Sequence, residues 1–235
     1  LWFNCNPEGP EHWFYKEWVQ KREERNALYL HFTMADNPGL SPTIIRRYAR
    51  HYSGTFYRRF VLGEWVAAEG VVYDFFDESY VRPAPPDLEE WVISCDYGTV
   101  NPASFGLWGR KGGTWYRVEE YYYDSRREGR QKTDREYADD LERLAGGRTI
   151  RQVVVDPSAA SFIEVLRRRG WRVVRAENRV LEGIRITARL LKEEKLAICP
   201  PCRDAIREFS LYCWDTKAVG DQVRKEHDHA MDDIR

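Results

Sequence analysis

No apolar run in the chain approaches the roughly 20 residues that a membrane-crossing helix needs, so no span is expected. No secretory leader pattern is present either. Charge of neither sign is in excess: 37 lysines and arginines stand against 38 aspartates and glutamates, a net charge of -1. Total charge therefore does not mark a nucleic-acid binder, and only a local basic patch could. There is no phosphate-cradling G-x-x-x-x-G-K-[ST] loop; the stretch 109–113 (GRKGG) is too short and falls in an expected hairpin turn, so ATP hydrolysis is not expected of these residues alone. The five cysteines are odd in number and lack the spacing of a disulfide framework. Cys199 and Cys202 form a C-x-x-C with no second pair at zinc-finger distance, and read as a pair that brackets Pro200 and Pro201. A reducing, intracellular setting fits. No serine–histidine or cysteine–histidine nucleophile arrangement stands out.

What the chain does have is enough apolar side chain for a sizeable core: of 235 residues, 43% are hydrophobic and nine are tryptophan. It opens on Leu1 within an apolar stretch and stops at Arg235 inside an expected helix, so a portion of a longer protein is expected. A proline-rich stretch, 82–86 (RPAPP), is too stiff and donor-poor for helix or central strand and separates two regions. Before it the chain reads as aromatic and mostly helical. Trp13, Phe14 and Trp18 recur at helical spacing over 10–21, and a helix over 42–50 leads into Phe56, Tyr57 and Phe60. Residues 63–76 read as a connector ending in a short strand.

After the prolines, strands and helices alternate. Strands are expected over 91–95, 103–108, 115–123, 149–155, 171–175 and 196–199; the second and third form a hairpin turning at 111–113. Helices are expected over 133–144, 158–169, 182–194 and 203–212, the first with Thr133 as N-cap and Gly146 and Gly147 as its stop. That order predicts an α/β fold, a mixed sheet with helices on both faces. In such sheets functional groups gather at strand ends where the order reverses.

Three aspartates meet that description. Asp96 ends the apolar run 91–95, Asp156 ends 153–155, and Asp232 lies in the terminal stretch 227–235 with His229 three residues before it on one helix face. Each has a plainer reading: a turn aspartate binding its own backbone, a residue leading into a helix N-terminus, and an acidic surface helix. Taken together, carboxylates converging from separate elements repel one another unless cations neutralise them. Magnesium or manganese, hard and suited to phosphate chemistry, are the natural cations. The pattern points to metal-dependent cutting of a phosphodiester, with His229 as a ligand or proton shuttle. Basic residues cluster at Arg126, Arg127, Arg130 and Lys132, again at 167–169, and over 217–225, which ends on Lys225. If a duplex crosses the acidic site, the first group would contact phosphates without reading bases. Otherwise such clusters are solvated surface.

The residues also resemble a known family, the large terminase subunit of tailed bacteriophages, nearly end to end. Residues 3–13 (FNCNPEGPEHW) are similar to the segment that closes the family's ATPase domain, and 60–76 (FVLGEWVAAEGVVYDFF) to its linker into the nuclease. SCDYG carries Asp96 and VVVDPS carries Asp156 at the positions of the family's first two catalytic aspartates. The ending KEHDHAMDDIR, with YCWDTK just upstream, resembles the segment in which a histidine and a later aspartate complete the site, which carries over to His229 and Asp232. The resemblance implies a ribonuclease-H-like fold, partitioned as 1–62, the remnant of a packaging ATPase; 63–90, a linker; and 91–235, the nuclease. It implies two Mg2+ or Mn2+ ions held by Asp96, Asp156 and Asp232, and cleavage of concatemeric double-stranded DNA. It further implies a portal protein and a small terminase subunit as partners of the full-length protein, and action in the host cytoplasm during viral assembly, away from membranes. The alternatives are a non-catalytic DNA-gripping or portal-docking module and a resolvase of the same fold.

Overall fold

The structure is a computed structural model that describes residues 1–218 and 220–235. Its contacts divide the chain into two compact units, 1–75 with 212–225, and 76–211 with 226–235.

The regular elements of the first unit's N-terminal part are all helical. A π-helical stretch occupies Tyr15–Val19, a single 3-10 turn occupies Met34–Asp36, and two α-helices follow, α1 (Pro42–His51) and α2 (Gly54–Phe60). Ser41 starts α1 by accepting from the Ile44 N–H, with Pro42 at the first helical position, where its missing donor costs nothing. The aromatic residues pack on one another: Phe3 lies against Phe14 and Trp18, and Trp65 stacks on Tyr15 at 4.9 Å. Arg59, almost wholly buried, pairs with Asp221 and donates to the Val66 carbonyl. The short strand expected at the end of 63–76 does not form. Gly70 turns the chain at φ +76°, Val71 makes one isolated bridge to Cys213, and Val72 and Tyr73 are both buried. Consecutive burial of neighbours removes the two-faced alternation that a half-exposed strand requires.

The second unit is built on a six-stranded mixed sheet in the order β5-β4-β1-β2-β3-β6, with β1 (Glu90–Asp96), β2 (Ala103–Lys111), β3 (Thr114–Tyr123), β4 (Ile150–Val155), β5 (Val173–Arg175) and β6 (Leu196–Ile198). β2 and β3 form the expected hairpin, and β4 returns to the other side of β1, parallel to it. That return makes the gap between the ends of β1 and β4 a switch point. One face of the sheet packs Ile93, Cys95, Phe105, Leu107, Val153 and Val155 against Tyr137 and Leu141 of α3 (Asp134–Ala145) and Phe162 and Leu166 of α4 (Ala160–Arg168). Thr133 caps α3 in a reciprocal box with Glu136, and Gly146 closes it in the left-handed region, as the sequence predicts. α5 (Val180–Lys192), α6 (Arg203–Leu211) and the six-residue α7 (His229–Ile234) complete the unit. α7 packs on β1 and β2.

The face under α7 is polar, and a β-bulge makes it so. Opposite Leu107 and Trp108 the partners in β3 are Glu119 and Arg117, so Val118 is the extra residue. Without it Arg117 and Glu120 would point to opposite faces; with it both join Ser94, Ser104 and Trp108 beneath α7.

Candidate metal centre

β1 and β4 run parallel with Cys95 opposite Val155. Continued by one residue, that register sets Asp156 beside Asp96 at the carboxyl ends of neighbouring strands. Asp96, Asp156 and Asp232 all line one cavity of about 450 Å³, together with Ser94, Asn178 and Arg235. The cavity continues along β1 past Val92 and Trp108 towards Glu90, Arg151 and Trp115.

Each carboxylate has a partner. Asp96 Oδ2 lies 3.1 Å from His229 Nδ1. Asp156 accepts from the Ser158 N–H at 2.7 Å and from Asn178 Nδ2 at 2.7 Å. Asp232 accepts from Arg235 Nε at 2.8 Å, one turn along α7. Burial pushes the Asp96 carboxyl up to about 6; the His229 hydrogen bond opposes this, and the charge of Asp232 adds to it. Burial also raises Asp156, but hydrogen bonds from Ser158 and Asn178 and the charge of Arg235 outweigh it, leaving that carboxyl below its usual range. For His229, burial favours the neutral ring, yet Asp96, Asp228 and Glu208 together raise it. Its Nε2 is 3.8 Å from Asp228 Oδ1.

Asp96 therefore sits with another carboxylate's charge against it, a condition that a cation in the cavity would relieve. Three carboxylates from separate elements with one imidazole beside them form an oxygen-rich set suited to magnesium or manganese. Among the described residues, no group of three or more histidine, cysteine, aspartate or glutamate side chains is gathered closely enough to hold an ion as it stands. Loading would therefore draw Asp232 from Arg235 and Asp156 from Asn178.

The other expected residues lie outside the cavity lining. Arg126 and Arg127 are exposed, with Arg126 reaching Asn101 and Arg127 reaching Glu128. Arg130 pairs with Glu136. Lys132 bonds the buried Asp140 at 2.7 Å and lies 4.3 Å over the Tyr123 ring, a packed position. Lys225 is an exposed residue of the first unit. Sequence reasoning missed Asn178, Arg235 and Asp233. Asn178 follows β5 with no periodic pattern to mark it, and nothing in the pair Asp232-Asp233 says which one turns towards the cavity. Cys199 and Cys202 are both buried, and the Cys202 Sγ–H donates to the Arg117 carbonyl at 3.1 Å, so the C-x-x-C is a packed turn. Among the described residues no helix is long and apolar enough to cross a membrane.

A mixed six-stranded sheet of this order, flanked by helices and carrying acidic residues at the ends of β1 and β4, defines a ribonuclease-H-like α/β domain. The same fold appears in the P22 large terminase nuclease domain (16% identity, 70% of this chain and 88% of that one, TM-score 0.57). It appears again in the large terminase nuclease of thermophilic phage G20c with bound magnesium (15% identity, 72% and 96%, TM-score 0.56). The full large terminase of another thermophilic bacteriophage, in complex with ADP, is 48% identical over 100% of this chain, with a TM-score of 0.93; the chain spans 60% of that protein's length. Residues 2–80 match the family described as terminase large subunit, T4likevirus-type, N-terminal. No curated protein matches the chain. The chain belongs to the large terminase subunit family.

Proposed function

We propose that this chain is the nuclease portion of a viral DNA-packaging motor, cutting both strands of concatemeric double-stranded DNA by divalent-metal-dependent hydrolysis. In this reading 1–62 belong to the packaging ATPase, 63–90 are the linker and 91–235 the nuclease. A portal protein, a small terminase subunit and action in the host cytoplasm belong to the full-length protein. The observation that carries the reading is the shared cavity of Asp96, Asp156 and Asp232, two of them at neighbouring parallel strand ends.

Asp96, Asp156 and Asp232 would hold the ions, two magnesium or manganese in the family's manner. Bound there, such cations polarise the phosphodiester, lower the pKa of a water and offset charge on the departing oxygen. The protein's own part is to hold the carboxylates. Asp96 is fixed at a strand end and oriented by His229 Nδ1, while Asp156 is oriented by the Ser158 N–H and Asn178. His229, kept basic by its acidic neighbours, can hold or pass a proton beside Asp96. Arg235, released from Asp232, is left as a cation on the cavity wall for a substrate phosphate. Exposed Arg126 and Arg127 would meet the duplex backbone elsewhere, without sequence preference.

Plasmid cutting in manganese tests this. Asp96→Ala or Asp156→Ala is expected to abolish it with the fold intact, and retained cutting by either variant removes the mechanism. The ion pair Asp232–Arg235 favours a second reading, in which the acid is compensated within its own helix and the domain only grips DNA or docks on the portal. Manganese titration separates the two, since a gripping module shows no binding heat that depends on Asp96.

A further inference from the structure

α7 has six residues, too few to hold a helix by itself in water, so its pose comes from what anchors it. Two anchors are visible. Glu208 of α6, fully buried, accepts from the Ala230 N–H at 2.7 Å. The other is Asp233. Its carboxylate accepts both guanidinium arms of Arg117, one of them at 2.8 Å, along with the hydroxyls of Ser94 (2.6 Å) and Ser104. The Arg117 and Asp233 side chains are both completely buried.

This clamp is built into the sheet. The bulge at Val118 aims Arg117 beneath α7, and Gly106 leaves the room it occupies, because a Cβ there would fall 2.0 Å from Arg117 Nη1. Ser94 stands two residues before Asp96 on the same strand face. Asp233 thus binds α7 to the strand that carries Asp96, while the adjacent Asp232, about 100° round the helix, lines the cavity.

We propose that Asp233 is the positioning residue of the site: through Arg117, Ser94 and Ser104 it fixes α7 so that His229 and Asp232 are presented to Asp96. It touches no substrate and holds no ion. The assignment rests on the nuclease reading for its consequence in catalysis, though not for its geometry.

The test must separate positioning from bulk stability, since removing one partner strands the other charge in the interior. The full chain carrying Arg117→Met with Asp233→Leu exchanges the buried pair for apolar side chains, a change that often leaves a fold as stable as before. Three readouts apply: melting temperature, the His229 ring-nitrogen resonances that report the Nδ1 hydrogen bond, and steady-state plasmid cutting in manganese. The melting temperature is expected to stay near the parent's and the His229 hydrogen-bond signature to disappear. kcat is expected to fall on the order of a hundredfold, as misplacement of reacting groups by about an ångström does. KM for DNA should stay within about twofold. A folded double variant with the parent's His229 signature and kcat overturns the proposal. If that variant does not fold, Ser94→Ala with Ser104→Ala loosens the clamp more gently, and an unchanged signature and kcat there overturn it equally. A parent chain that cuts no DNA defeats the nuclease reading, while the His229 resonances still decide whether Asp233 positions the helix.

Discussion

Gly106 and Arg117 show how little room a single residue has in this domain. An alanine Cβ at 106 would meet the Arg117 guanidinium, which is pinned by Asp233 and Glu120 and unable to retreat. Gly106→Ala should therefore destabilise the fold by about 1–3 kcal/mol through overpacking, read as a lower urea midpoint with unchanged slope. An unchanged midpoint would mean that the clamp is looser than its geometry. The cysteines make a second prediction at this scale. Burial raises the thiols of Cys95, Cys199 and Cys202, whereas Cys5 is exposed. A thiol reagent should label Cys5 rapidly in the native chain and leave those three until denaturant is added. Fast labelling of Cys202 would contradict its packed position. Arg126→Glu with Arg127→Glu should weaken duplex binding evenly across sequences, and a sequence-dependent loss would argue against backbone contact.

Elements with strong local signals were legible in the sequence, and those that depend on distant partners were not. The hairpin of β2 and β3, the strand ends at Asp96 and Asp156, and the cap and stop of α3 follow from apolar runs, glycines and a threonine three before a glutamate. Thr133→Ala should cost roughly 1 kcal/mol by removing that cap, seen as a lower melting temperature, and no change would mean that tertiary packing alone holds α3. The bulge at Val118 left no mark, because an inserted residue in a strand rich in aromatic and charged side chains does not break a clear alternation. The expected strand near 71–76 failed for the opposite reason: its apolar residues serve irregular packing against 212–214. At the site, the spacing of His229 and Asp232 was readable on a helix. The role of Asp233 was not, since it depends on an arginine 116 positions away.

For the whole molecule, balanced charge and an acidic cavity belong together. A net charge of -1 leaves no overall attraction for DNA, so binding must come from local arginines and from cations held between carboxylates. The family of the chain supplies the substrate in our reading, and the cavity supplies the chemistry. The central claim is that Asp96 belongs to a set of aspartates that traps divalent ions. Calorimetric titration of manganese into the full chain and into Asp96→Asn tests it most directly: saturable binding heat in the parent and its loss in the variant are predicted, and identical heats in the two proteins would contradict it.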